Sequence, residues 1–186
     1  MKLAIASDFH DNFHNTILFL QKAKAKGAKK LILLGDYTSP STVKLLVNFK
    51  LPIIMIWGNN DGEKVNITKL ALSHQNKIQL SATTYDFLEI DNRKIFITHY
   101  NNLAKPMAKS GNFDAVFYGH NHQKQIIKIG NCLVVNPGEI CALRTGFASF
   151  ALYDTNNNQA EIITLENSIS TRTKLSLPYI KAAGMN

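Results

Sequence analysis

Short, almost continuous apolar runs, each broken at once by a polar cluster, set the rhythm of the chain. Leu3–Ala6 leads into Ser7-Asp8-Phe9-His10, and Leu31–Leu34 into Gly35-Asp36. Ile53–Trp57 leads into Gly58-Asn59-Asn60-Asp61, Ile95–Ile97 into Thr98-His99, and Ala115–Tyr118 into Gly119-His120-Asn121-His122. Runs this short and this rich in β-branched residues predict buried strands. Helical patterns separate the first three. Phe13, Ile17 and Leu20 recur at helical spacing, with Gly27 as a C-terminal stop. Ser39-Pro40 supplies an N-cap and a first-turn proline ahead of inward-facing Val43, Leu46 and Val47. A third helix is expected from about Gly62 to Ser73, carrying Val65, Ile67, Leu70 and Leu72. Strand–helix–strand alternation implies a parallel sheet with right-handed crossovers.

The second half changes to hairpins. Tyr85 to Ile90 and Arg93 to Thr98 flank Asp91-Asn92, Gln125 to Ile129 and Cys132 to Val135 flank Gly130-Asn131, and Phe147 to Tyr153 and Ala160 to Leu165 flank an Asn-rich turn. An α/β first half and a β-rich second half fit two packed sheets flanked by helices. The Ser/Thr/Lys-rich tail after Asn167 takes no assignment.

The chain has 186 residues, 45% of them apolar and 18% charged, the make-up of a folded soluble protein and the length of a single domain, 1–186. No apolar run approaches the roughly 20 residues of a bilayer-spanning helix. The start reaches Asp8 too early for an export signal, so a cytoplasmic protein with no membrane partner is expected. Cys132 and Cys141 do not form a C-x-x-C pair and are expected to be packed thiols. The net charge of +8 points to anionic partners: phosphate esters, nucleic acid or acidic lipid. Its densest cluster, Lys22, Lys24, Lys26, Lys29 and Lys30, falls at the expected end of the first helix, where cations favour the dipole. That cluster reads as a solvated helix end, with a nucleic-acid track as the alternative.

In an open α/β sheet, residues just past the carboxyl ends of parallel strands converge on one crevice. The residues delivered there are Asp8, His10, Asp36, Asn59, Asn60, Asp61, His99, His120 and His122, with four of the six histidines of the chain among them. Residues two apart in an extended segment share a side, so Asp8/His10 and His120/His122 are each expected to act as a two-toothed ligand. Oxygen donors mixed with imidazoles, without thiolate, suit Mn²⁺, Fe²⁺ or Zn²⁺. Seven donors exceed the needs of one ion, whereas two ions roughly 3.5–4 Å apart and sharing a carboxylate would use them all.

Taken together, D-x-H at Asp8–His10, G-D at Gly35–Asp36, G-N-x-D at Gly58–Asp61, the strand-end His99 and G-H-x-H at Gly119–His122 resemble the calcineurin-like metallophosphoesterase superfamily. The short length and Asn136-Pro137-Gly138 after a hairpin make the chain similar to the small bacterial and archaeal phosphodiesterases of the YfcE/MJ0936 type. The resemblance spans residues 8 to 138. It implies a four-layer αββα sandwich of two mixed sheets flanked by helices. It also implies a hydrolase that attacks small phosphodiesters with a hydroxide activated by two divalent ions, Mn first, with Fe, Zn or Ni as alternatives. By the same resemblance one ion is held by Asp8, His10, Asp36 and His122, the other by Asp36, Asn59, His99 and His120, with Asp36 bridging. Asn59, Asn60 and Asp61 form the catalytic loop, in which Asp61 orients a ligand through a hydrogen bond. Asn59 and Arg144 face the substrate phosphate, unless Arg144 is a plain surface arginine.

Two departures from the family pattern carry consequences. Asn60 stands where many relatives place a histidine that acts as general acid, which implies a slower enzyme or leaving groups of low pKa, such as aryl or nucleoside phosphodiesters. His14 is the alternative proton donor, against its reading as a helix-start histidine. Glu139 replaces the serine of the N-P-G-S turn and brings a negative charge toward the expected phosphate path. The rival functions are a non-catalytic interaction scaffold on the same fold, Vps29-like, and a nuclease acting on nucleic acid. A homo-oligomer stays open.

Overall fold

A computed structural model describes residues 1–171. In chain order the elements are β1 (Lys2–Ala6), α1 (Phe13–Ala25), β2 (Lys30–Leu33), α2 (Pro40–Asn48), β3 (Ile53–Met55), α3 (Lys64–Ser73) and β4 (Ile78–Leu80). They continue with β5 (Tyr85–Ile90), β6 (Arg93–Thr98), α4 (Asn101–Lys109), β7 (Ala115–Tyr118), β8 (Gln125–Ile129), β9 (Cys132–Asn136), β10 (Ser149–Asp154) and β11 (Gln159–Thr164). The strands form two mixed sheets, ordered β11-β10-β1-β2-β3-β4 and β5-β6-β7-β9-β8. α1, α2 and α3 cover the outside of the first sheet and α4 the outside of the second. This is the expected four-layer αββα sandwich.

The continuous apolar runs follow from burial on both faces. Within β2, Leu31 and Leu33 pack under the three helices, while Ile32 turns toward the second sheet, as does Leu34 just beyond. Ile53 and Met55 repeat the pattern against Ile54 and Ile56. β1, β2, β3 and β4 run parallel, so their carboxyl ends share one edge of the sandwich.

Ser39, Pro40 and Gly27 mark their helix ends as the sequence predicts, and the structure adds Asn12 as the cap of α1. The Asn12 side chain accepts the Asn15 amide at 3.0 Å, Ser39 accepts Ser41 at 3.3 Å with Pro40 opening α2, and Gly27 after α1 takes a φ of 81°. α3 buries Ile67 and Ala71 and leaves Val65 and Leu72 outside, so two of its apolar residues were poor guides to its inner face.

Two elements lack a sequence counterpart. β4 is three residues long, and α4 fully buries only the small side chains Ala104 and Ala108, packs Met107 beside them and has Pro106 within it. Through α4 the second half gains a β–α–β unit, because β6 and β7 are parallel. The last hairpin pairs back onto the opposite half: β10 lies antiparallel to β1, with Ile5 facing Ala151. Lys22 and Lys24 occupy the last turn of α1 and Lys30 opens β2, so the lysine cluster lies at the amino ends of the parallel strands, remote from the polar strand-end clusters. Of the tail, Ile169 donates to Asn15 Oδ1 at 2.9 Å and Thr171 to the Cys141 carbonyl at 3.0 Å; residues 172–186 lie outside the described part. Among the described residues, no helix is long and apolar enough to cross a membrane.

Candidate metal centre

The loops leaving β1, β2, β3, β6 and β7 meet at one edge of the sandwich. Their backbones are tightly constrained there. Asp8, His10, Asp36, His120 and His122 all have φ between 43° and 71°, the left-handed region that non-glycine residues rarely adopt. Such outliers persist only where surrounding contacts enforce them, and they gather at functional sites. This geometry alters one expectation: the D-x-H and H-x-H pairs are not extended. His120 and His122 part company, the first toward His99 and the second toward Asp8.

The side chains form two groups around Asp36. On one side, His122 Nε2 lies 3.3 Å and His10 Nε2 3.9 Å from Asp8 Oδ1, and the two rings stack with centroids 5.4 Å apart. On the other, Asn59 Oδ1 lies 2.9 Å from His99 Nε2 and 2.8 Å from His120 Nδ1. Asp36 Oδ2 sits between them, 3.5 Å from His10 Nε2 and 3.6 Å from His99 Nε2. All seven residues of the expected ligand set therefore converge. Asp8, Asp36 and His99 are almost wholly buried, whereas Asn59 and Asn60 face solvent and form the open side.

The donor set fits divalent cations. His99 gives its Nδ1 proton to the Leu34 carbonyl at 2.7 Å, and His122 directs Nδ1 to Glu139 at 2.5 Å. With that proton on the carbonyl, His99 turns an Nε2 lone pair inward, the tautomer a metal needs, and the His122 ring is held so that its Nε2 faces Asp8. Asp8 Oδ1 and His10 Nε2 are buried with no hydrogen-bond partner among the described residues. Buried polar atoms are seldom left so. Acceptors facing acceptors at these distances are held together most simply by positive charge. Asp8, His10 and Asp36 on their own already present three ligand atoms within reach of one ion. Burial, with the neighbouring His99, pushes the His120 imidazole below its usual pKa and favours the neutral ligand form.

Close packing of loops fixes this arrangement. The backbones after β2 and β3 touch at Gly35 and Gly58: a Cβ on Gly58 would fall 2.4 Å from the Asp36 amide nitrogen. Asp61 ties the same loops together. Its carboxylate accepts the amides of Gly58 (2.7 Å), Asp36 (3.2 Å), Tyr37 (2.6 Å) and Thr38 (3.0 Å). Burial pushes its pKa up despite these bonds. Asp61 therefore orients Asp36 through the backbone, not through the ligand side chain. Asn136 of the N-P-G turn donates to Asn121 Oδ1 at 2.7 Å and braces the G-H-N-H loop.

Other residues fall elsewhere than expected. Asn60 donates both its amide and its side-chain Nδ2 to Asp36, each at 2.8 Å. His14 lies in the first turn of α1 with Nε2 3.0 Å from the Asn167 carbonyl, the helix-start reading. Arg144 is exposed, and its charge bears on His120. Glu139 is fully buried, its carboxylate held by His122 and by the amides of Leu143, Arg144 and Thr145. Burial opposes its ionisation, but hydrogen bonds from His122, Cys141 and Thr145 outweigh that and hold its carboxyl at about 2. Both cysteines are free and buried, as expected. Sequence reasoning passed over Tyr100, whose ring lies 5.3 Å from His99 and 5.2 Å from His120. Its only signal is its place directly after a strand-end histidine.

Comparison with known proteins agrees with this geometry. Residues 1–158 match the calcineurin-like phosphoesterase superfamily domain. Phosphodiesterase MJ0936 of Methanocaldococcus jannaschii is 33% identical over 172 residues, covering 89% of this chain and all of that protein. The solved structure of an archaeal phosphodiesterase superposes with a TM-score of 0.82 at 31% identity, over 89% of this chain and 100% of that one. YfcE, a phosphoesterase from E. coli, shares the fold at 22% identity (TM-score 0.64; 89% and 100% covered), as does Vps29 from Entamoeba histolytica at 15% (TM-score 0.62; 89% and 100%). The chain belongs to the calcineurin-like phosphoesterase superfamily.

Proposed function

We propose that the protein is a phosphodiesterase that works with two divalent cations. Asp8, His10, Asp36 and His122 would hold one, and Asp36, Asn59, His99 and His120 the other. The observation that carries this reading is the central place of Asp36 Oδ2, at nearly equal distance from His10 and His99. Two divalent ions held by these residues would supply charge against the phosphoryl oxygens and hydroxide from water near neutral pH. Mn²⁺ is the first choice, with Fe²⁺, Zn²⁺ or Ni²⁺ able to use the same donors.

The chain's own groups set the rest. Asn59 lies on the open side, where its side-chain NH₂ can hold a phosphate oxygen while Oδ1 serves as ligand. Arg144 adds a positive charge near His120 for the second non-bridging oxygen. Asn60 carries no titratable proton and is committed to Asp36. Departure is therefore unassisted at that position, and the enzyme favours leaving groups that are stable as anions, such as aryl or nucleoside phosphodiesters. A small diester suits the site better than nucleic acid, because the lysine cluster occupies the opposite end of the sheet. A pure scaffold would have no use for seven intact donors. Similarity to MJ0936, named as a phosphodiesterase, supports the same conclusion.

The test is hydrolysis of bis-p-nitrophenyl phosphate with added Mn²⁺. Wild type should turn over and Asp36→Asn should lose at least about 100-fold in rate, since it removes the shared ligand. Equal rates would end the proposal.

A further inference from the structure

Glu139 is a fully buried carboxylate that the catalytic scheme does not use. Its two oxygens face different parts of the site. Oε2 lies 2.5 Å from His122 Nδ1 and accepts Cys141 Sγ at 2.9 Å and the Leu143 amide at 3.0 Å. Oε1 accepts the Thr145 amide at 2.7 Å, the Thr145 hydroxyl at 2.8 Å and the Arg144 amide at 3.0 Å. One side chain thus grips a candidate ligand with one oxygen and the loop bearing Arg144 with the other.

We infer that Glu139 is the positioning residue of this centre: it locks His122 as the Nδ1-protonated tautomer and thereby strengthens one ion position over the other. The inference rests on the proposed two-ion reading for its second half only. Nothing equivalent supports His99, whose Nδ1 meets a neutral backbone carbonyl, so the two halves of the centre are unequal by construction. A carboxylate behind a ligand histidine raises the basicity of the ring and fixes its rotation, and losing such a partner typically weakens metal binding about 10- to 100-fold.

Glu139→Gln separates shape from charge. In the variant the amide NH₂ can face either His122 or the Thr145 and Arg144 amides. Facing Thr145 and Arg144 would oppose the NH₂ to their amides at 2.7 and 3.0 Å, whereas facing His122 opposes it to the Leu143 and Arg144 amides at the longer 3.0 and 3.2 Å and gains the ring nitrogen as acceptor, so the NH₂ turns toward His122. That ring must then accept at Nδ1 and carry its proton on Nε2, aimed at Asp8 where the ion belongs. The geometry is kept and the tautomer is wrong.

Two measurements decide the matter. Nitrogen-15 NMR of metal-free wild type at pH 8 should show His122 protonated at Nδ1, and Glu139→Gln should show it protonated at Nε2. Mn²⁺ titration followed by EPR should show two sites in wild type. In the variant, one should be weakened about 10- to 100-fold and the other nearly unchanged. An Nε2-protonated neutral ring in wild type overturns the inference, and that measurement needs no variant to fold. Two Mn²⁺ sites that weaken equally, or not at all, in Glu139→Gln also overturn it. If wild type binds fewer than two ions, the two-ion reading falls, while the NMR result still judges the tautomer lock.

Discussion

Gly58→Ala isolates the role of loop contact at the centre. Gly58 itself has an ordinary negative φ, so alanine brings no intrinsic backbone strain. The obstacle is space: the new Cβ would lie 2.1 Å from Asp36 Oδ1 and 2.4 Å from the Asp36 amide nitrogen. The carboxylate could swing away, but the backbone atom cannot. Restoring a normal contact, which begins near 3.4 Å, requires the β2 and β3 loops to part by about 1 Å. Overpacking of that kind costs about 1–3 kcal/mol. The parting also stretches the buried bond from the Gly58 amide to Asp61, adding about 1–3 kcal/mol if that bond is lost. A total of roughly 2–6 kcal/mol lowers the melting temperature of a chain this long by about 4–24 °C. Because Asp36 moves, Mn²⁺ affinity should fall at least about tenfold. Gly130→Ala is the complementary control. Its φ is 59° but no atom lies within 4 Å, so it should lose only about 1–2 kcal/mol and keep Mn²⁺ binding intact. Calorimetry and Mn²⁺ titration of both variants check the reasoning. A Gly58→Ala protein that melts within about 2 °C of wild type and binds Mn²⁺ equally well would refute it.

Two further outcomes follow from groups away from the ligands or at their rim. Burial raises the Tyr153 phenol from 10.0 to about 12, and its hydroxyl donates to Asn158 Oδ1 at 2.9 Å. The folded state holds the proton longer than the unfolded chain, so this stabilisation is full below pH 10 and about 3 kcal/mol is lost as pH rises to 12. Tyr153→Phe should therefore be about 1 kcal/mol less stable at pH 8, with the gap closing or reversing by about pH 11.5; a gap constant across that range in urea titrations contradicts the assignment. Arg144→Ala should raise KM for bis-p-nitrophenyl phosphate about fivefold at low salt, less at high salt, with kcat little changed, as expected for a screened, exposed charge. An unaltered KM makes Arg144 a surface arginine.

Much of this protein was open to reading before any coordinates. The first hairpin of the second sheet took its expected limits and the second ran one residue longer, to Asn136, because Asp91-Asn92 and Gly130-Asn131 are local turn signals, with positive φ at Asp91, Asn92 and Gly130. α1 announced itself through the spacing of Phe13, Ile17 and Leu20 before Gly27, and α2 through Ser39 and Pro40. α4 did not, because its buried positions are alanines and Pro106 interrupts it, so it holds its place by contact with β6 and β7, not by its own pattern. Val65 and Leu72 carried an apolar signal that burial does not honour.

The order of strands and polar clusters along the chain already marks the candidate ligand residues, since the apolar runs are local signals for strands and the residue types at their ends are read directly from the sequence. Which of those residues touch is another kind of fact. That His120 turns to Asn59 and His122 to Asp8, that β10 returns to pair with β1, and that Glu139 meets His122 all depend on partners 17 to 152 positions away. No local propensity encodes such contacts. They arise only when both faces of two sheets are buried together and every buried polar atom must find its partner in the remaining space.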